Sequence, residues 1–113
     1  MAIQIRTKAD NAILAQSTDA DKAVLVENCW YFSPEQVDIE RFTKTDRIYN
    51  CPYKGIAYWY DLHTDEGTVQ NVAWVYDEPK DGYDHIAGRI GFYNRETSAT
   101  TAQSVTSDET TTA

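Results

Sequence analysis

Two runs of alternating side chains, separated by a short polar turn, constrain this fold more than any other part of the sequence. The first run covers residues 55–63 and the second covers residues 69–77. A period of two places successive side chains on opposite faces of a β-strand. Gly67, in the turn at residues 64–67, can adopt the positive φ that a tight hairpin needs. We therefore predict that the two runs form a β-hairpin.

The rest of the first 93 residues also favours strands. Short apolar runs of strand length lie at residues 12–15, 23–26, 29–32 and 89–93. Ser33 is a good helix N-cap and Pro34 fits the first helical position, so a short helix is expected there, extended by a turn at residues 38–42. Residues 79–87 are expected to be a loop with one helical turn. These elements predict a mainly β fold with one or two short helices.

Length and composition predict one domain followed by a tail. The chain has 113 residues, and its apolar share of 42 % supports a globular core. Residues 96–113 are rich in Thr and Ser and contain no aromatic residue. Such a segment buries too little apolar surface to offset its loss of conformational entropy. We therefore expect a domain over residues 1–95 and a disordered tail over residues 96–113.

Charge and cysteine content exclude several classes of protein. A net charge of −8 provides no basic surface for nucleic-acid phosphates. No apolar run approaches the roughly 18 residues of a membrane-spanning helix. The two cysteines and the absence of a secretory leader pattern favour a reduced, cytoplasmic protein. Because the Cys and His residues are not at zinc-ligand spacing, we expect neither a metal nor a cofactor.

Residues 51–55 (CPYKG) carry the clearest chemical signal. Cys51 lies on a turn stiffened by Pro52, and the positive charge of Lys54 could favour its reactive thiolate. Cys51 is therefore a candidate nucleophile, and we expect it to be more exposed than Cys29. The alternative is that Cys51 is a small buried hydrophobic residue and Lys54 a surface charge. Glu27 ends an apolar run. Its carboxyl group would either face a pocket and have a raised pKa, or lie at the solvent-exposed edge of the sheet.

Aromatic residues on the predicted strands are the second signal. Tyr58 and Tyr60 share one face of their strand, and Trp74 lies within cross-strand reach if the hairpin forms. Core packing explains many such residues, whereas a pocket for a planar or cationic ligand would explain their excess.

Four blocks of the sequence, in this order, resemble the DUF427 family, a small bacterial and fungal domain of unknown function. They are residues 30–37 (WYFSPEQV), 51–60 (CPYKGIAYWY), 73–76 (AWVY) and 86–93 (IAGRIGFY). The resemblance implies two antiparallel sheets of the β-tent type. It also implies that Glu27, Cys51, Lys54, Tyr58, Tyr60 and Trp74 occupy recurring positions of the family. A nucleotidyltransferase-like label sometimes given to the family has no matching motif in this sequence.

Two functional interpretations follow. In the first, the domain binds a small molecule, with Glu27, Cys51 and Lys54 as candidate catalytic residues and the aromatic residues Tyr58, Tyr60 and Trp74 as walls. In the second, the aromatic residues are core, and the domain is a structural or protein-interaction module that could pair into a homodimer through a sheet edge.

Overall fold

Two antiparallel sheets make up the fold in the computed structural model, which describes residues 2–18 and 21–105. The described strands are β1 Ala2–Thr7, β2 Ile13–Ser17, β3 Ala23–Val26, β4 Cys29–Phe32, β5 Phe42–Cys51, β6 Gly55–Thr64, β7 Gly67–Val75, β8 Ile90–Tyr93 and β9 Thr100–Val105. One sheet has the order β2-β1-β9, and the other has the order β3-β4-β8-β7-β6-β5. The predicted fold class, mainly β with two antiparallel sheets, is therefore confirmed.

The expected short helices are single turns. Three 3₁₀ turns, at Pro34–Gln36, Ile39–Arg41 and Asp84–Ile86, are the helical segments among the described residues. The first begins as predicted after Ser33 with Pro34 at its start, but the Ser33 side chain makes no capping hydrogen bond. Residue Phe42, assigned to the end of a helix, begins the edge strand β5 instead.

The predicted hairpin is formed by β6 and β7. Thr64 pairs with Gly67, whose φ of 122° requires glycine. The register shifts between Tyr60 and Leu62, where Asn71 also has a positive φ. Beyond this irregularity, Trp59 lies directly opposite Trp74, so the two indoles share one face of the sheet.

The six-stranded sheet packs apolar residues on both of its faces. Its inner face forms the core with the three-stranded sheet, and Ile5, Leu14 and Phe32 are fully buried there. A second, outer cluster contains Tyr31, Cys51, Ala57, Trp74, Tyr76 and Ile86. Neighbouring residues on a strand point to opposite faces, which is why Phe32 belongs to the inner cluster and Tyr31 to the outer one.

The prediction of a disordered tail from residue 96 is wrong as far as residue 105. Strand β9 pairs with β1 from Ala2↔Val105 to Thr7↔Thr100, and Thr100 is buried. The ladder uses backbone groups, and β-branched Thr suits a strand, so little apolar surface is needed. The domain therefore includes β9, while residues 106–113 lie outside the described part of the chain.

Candidate functional site

A pocket of about 310 Å³ lies on the outer face of the six-stranded sheet. Its walls come from the β3–β4 hairpin, the β5–β6 hairpin, β7 and the end of β8. The lining residues are Val26, Glu27, Cys29, Tyr31, Tyr49, Lys54, Ala57, Trp59, Trp74, Tyr76 and Tyr93. The pocket thus combines mostly aromatic walls with one ammonium group and one carboxylate.

Trp74 packs against three other aromatic walls of the pocket. Its ring centroid lies 4.8 Å from that of Tyr93, 5.8 Å from that of Trp59 and 6.2 Å from that of Tyr31. Its Nε1 donates a hydrogen bond of 3.2 Å to the Tyr31 hydroxyl, which satisfies the buried indole N–H. Edge-to-face geometry and this hydrogen bond hold the indole in one orientation.

Gly91 provides the space for that packing. It lies on β8 between β4 and β7, paired with Tyr31 on one side and Trp74 on the other. A Cβ atom at this position would be only 2.5 Å from Trp74 Nε1 and 2.9 Å from Tyr31 Cε1. A glycine inside a strand is the sequence signal for such a close approach, and it was missed.

Lys54 is held at the pocket with little exposure to solvent. Its side chain is 11 % exposed, and its Nζ lies 2.9 Å from Glu27 Oε1. Burial acts to lower the pKa of Lys54, but the hydrogen bond and the negative charge of Glu27 raise it above its usual value. Lys54 is therefore a cation, and the alternative of a free surface charge is wrong.

Glu27 lies at the rim of the pocket. It forms a two-residue hairpin turn with Asn28, and φ is positive at both positions. Its carboxylate accepts hydrogen bonds from Lys54 Nζ and, at 3.1 Å, from the Tyr83 hydroxyl. The bond from Lys54 is the main reason that the pKa of Glu27 is lowered, so the raised pKa considered from the sequence is wrong.

The two cysteines are placed differently from the expectation. Cys51 is only 4 % exposed and does not line the pocket, whereas half-buried Cys29 does. Burial acts to raise the pKa of Cys51, but backbone N–H groups of Lys54 and Tyr53 and the Lys54 charge lower it overall. Burial raises the pKa of Cys29. Cys51 thus has the more favoured thiolate but the poorer access.

Tyr58 and Tyr60 lie on the other face of the sheet from the pocket. Both pack against the inner core, and Tyr60 contacts Phe42 edge-to-face at 6.3 Å. The structure therefore brings Glu27, Lys54 and Trp74 together at the pocket. Cys51 lies behind the pocket wall, and Tyr58 and Tyr60 do not line the pocket.

Register counting would have found this difference. Continuing the pairing outward from Thr64↔Gly67 places Trp74 opposite Ala57, on the face that Trp59 also occupies. The other missed walls, Tyr31, Tyr76 and Tyr93, have no comparable local signal, because β4, β7 and β8 meet only in the tertiary structure.

The described residues contain neither a membrane-spanning helix nor a cluster of potential metal ligands. Across residues 2–18 and 21–105, no helix has both the length and the hydropathy to cross a membrane. In the same part of the chain, no three His, Cys, Asp or Glu side chains lie together as potential metal ligands.

Comparison with known proteins assigns the chain to a family. No curated protein matches the chain significantly. A family model described as a domain of unknown function (DUF427) matches residues 2–103, which extend from β1 into β9 and contain every pocket residue. The chain therefore belongs to the DUF427 family.

Proposed function

We propose that the domain binds a small molecule with a planar ring in the outer pocket. The observation that carries this proposal is a concave site of about 310 Å³ in which aromatic rings surround a nearly buried ammonium group. Known ligand sites have volumes of roughly 300–1,000 Å³ and combine apolar walls with a few polar groups. The pocket is at the small end of this range.

The packing of the two faces supports the same proposal. On the inner face, Phe32, Leu62 and Phe92 have no exposure. On the outer face, Trp59 and Tyr93 are only partly buried although they contact Trp74. Partly exposed aromatic walls around a cavity offer apolar surface that a planar ligand would cover, at about 25 cal/mol per Å² removed from water.

The proposal is for binding rather than for a reaction that depends on Cys51 and Lys54. Cys51 lies behind the pocket wall, and its Sγ accepts a hydrogen bond of 3.4 Å from the Lys54 backbone N–H. A protonated Lys54 can attract a negatively charged ligand group, but it has no free electron pair with which to attack as a nucleophile. Lys54 then acts on the ligand through its charge, and Cys51 helps to hold the Lys54 backbone in place.

A matched pair of substitutions on β6 tests the proposal. A library of planar fragments is screened by thermal shift against the wild type, Trp59→Leu and Tyr58→Leu. A ligand at 100 times its Kd adds about 2.7 kcal/mol to the free energy of unfolding, so bound fragments raise the Tm. We expect Trp59→Leu to remove this shift and Tyr58→Leu, on the opposite face, to preserve it.

The screen also defines failure. If no fragment raises the Tm of the wild type, the pocket does not bind planar molecules. If fragments stabilise Trp59→Leu as much as the wild type, they bind elsewhere and the proposal is wrong. Circular dichroism of each variant shows that the comparison is made between folded proteins.

A further inference from the structure

The ammonium group of Lys54 has one carboxylate partner, and that partner comes from the rim of the pocket. We propose that the ligand is a planar ring bearing a carboxylate, and that this carboxylate replaces Glu27 on Lys54 when the ligand binds. The inference rests on the proposed function, because it names the class of molecule that the same pocket would accept.

The polar groups of the inner pocket are suited to an acceptor. Lys54 Nζ has three N–H donors; among the described residues it donates to the Glu27 carboxylate, and the Tyr83 ring centroid lies 5.7 Å away. The Tyr31 hydroxyl accepts its hydrogen bond from Trp74 Nε1, so its own proton is available to another group. A carboxylate has two oxygens that accept hydrogen bonds, whereas a ligand amine would compete with Lys54.

Exposure distinguishes the fixed partner from the displaceable one. The Lys54 side chain is 11 % exposed, and the backbone on either side of it is anchored because its N–H donates to Cys51 Sγ and its carbonyl accepts from the Lys80 N–H. The Glu27 side chain is 52 % exposed on a two-residue turn. Glu27 also accepts a hydrogen bond of 3.1 Å from the Tyr83 hydroxyl, which is a solvent-exposed contact. Glu27 can therefore rotate away from Lys54 into solvent once water replaces this second bond, while Lys54 stays at the pocket.

Displacement of Glu27 makes binding selective for charge. A neutral ring that pushed Glu27 aside would leave a nearly buried ammonium without a counter-ion, which is costly, so a neutral ring would bind with Glu27 still on Lys54. An incoming carboxylate restores the pair. A cationic ligand would be attracted by the aromatic walls but repelled by Lys54 at short range. The carboxylate is thus the charge type that the site can accept at least cost.

The volume limits the size of the ring system. A pocket of about 310 Å³ corresponds to the space of roughly ten water molecules at about 30 Å³ each. One ring, or two fused rings, with a single carboxylate fits this space. 2-Naphthoate is therefore a suitable probe, with 2-naphthamide as its neutral analogue and 2-naphthylmethylammonium as its cationic analogue.

Calorimetric titration of these three probes tests the inference in four proteins. We expect the wild type to prefer 2-naphthoate over 2-naphthamide by about tenfold, or about 1.4 kcal/mol. Glu27→Gln removes the competing carboxylate and is expected to strengthen 2-naphthoate several-fold without changing 2-naphthamide. Lys54→Met is expected to abolish the preference, and Lys8→Met, at an exposed lysine that pairs with Glu96 at 2.9 Å outside the pocket, to retain it.

The outcomes separate this inference from the proposed function. Equal binding of 2-naphthoate and 2-naphthamide to the wild type and to Glu27→Gln overturns the carboxylate inference but leaves a binding pocket. Preferred binding of the cation also overturns it, since Glu27 would then be the ligand's partner. The titrations of the wild type and Glu27→Gln can refute the inference by themselves, so it can still be tested if Lys54→Met does not fold. Failure of all three probes overturns it too, and the fragment screen still decides the function.

Discussion

Gly91→Ala is expected to destabilise the domain because the new methyl group would crowd two aromatic rings. The added Cβ would lie 2.5 Å from Trp74 Nε1, 2.6 Å from Trp74 Cε2 and 2.9 Å from Tyr31 Cε1. Favourable carbon contacts are about 3.5–4.0 Å, so at least one ring must move. Trp74 cannot retreat freely, because Tyr93 and Trp59 pack against it and its N–H is hydrogen-bonded to Tyr31.

The expected cost follows from two opposing effects. Overpacking of this kind costs about 1–3 kcal/mol. Replacing a strand glycine by alanine recovers roughly 0.5–1 kcal/mol by reducing the freedom of the unfolded chain. We therefore expect a net loss of about 1–2 kcal/mol in the free energy of unfolding. For a domain near this size, each kcal/mol lowers the Tm by roughly 4–8 °C, so that loss lowers the Tm by roughly 4–16 °C.

A double-mutant cycle assigns the cost to Trp74. Urea unfolding, followed by far-ultraviolet circular dichroism, is measured for the wild type, Gly91→Ala, Trp74→Leu and the double variant. Leu lacks the indole atoms that meet the new Cβ, so Gly91→Ala should cost about 1 kcal/mol less in the Trp74→Leu background, where the approach of 2.9 Å to Tyr31 Cε1 remains. An equal cost in both backgrounds, or no cost in the wild type, would refute the steric argument.

Three other predictions concern β9, the thiols and a buried ion pair. A chain ending at Ser98 loses the β1–β9 ladder and should melt below a chain ending at Val105 in calorimetry; equal melting would mean that β9 does not contribute. Iodoacetamide near neutral pH should label Cys29 before Cys51 by mass spectrometry, because access to Cys51 requires opening of the fold. The Arg47 guanidinium lowers the pKa of Asp61 below its ordinary value of 3.8. The ion pair therefore stabilises the fold fully when the pH is above 3.8, and this stabilisation is lost as the pH falls through the lowered pKa. The stability gap between the wild type and Asp61→Asn should therefore narrow in acid, and a constant gap across that range would contradict the argument.

Local patterns predicted the elements that depend on neighbouring residues. The β6–β7 hairpin follows from a period of two and from Gly67 in the turn, both of which act within a few residues. Strand β5 was harder, because its polar residues 43–47 surround a register shift where Arg47 pairs with Asp61. Strand β9 was missed because its stability comes from backbone pairing with β1, which lies almost a whole chain length away.

At the candidate site too, local sequence identified some residues, while the tertiary structure decided which of them meet. Glu27, Cys51, Lys54 and Trp74 were identified from residue type and local context, and three of them line the pocket. Tyr58 and Tyr60 were grouped with Trp74 because they are close in sequence and reach across the hairpin. The face that each residue occupies depends on the pairing register. The structure places Trp74 opposite Trp59, on the other face of the sheet from Tyr58 and Tyr60.

By itself, the sequence determined the strand-rich class, the central hairpin and the residue types able to recognise a ligand, because periodicity, turn chemistry and side-chain chemistry are local properties. The tertiary structure decided which of those residues meet. Glu27 reaches Lys54 from another hairpin, and Tyr31 reaches Trp74 because β8 lies between β4 and β7 with Gly91 at the crossing point. Such contacts depend on strand order and on the space that one missing Cβ leaves, and both are properties of the assembled sheet.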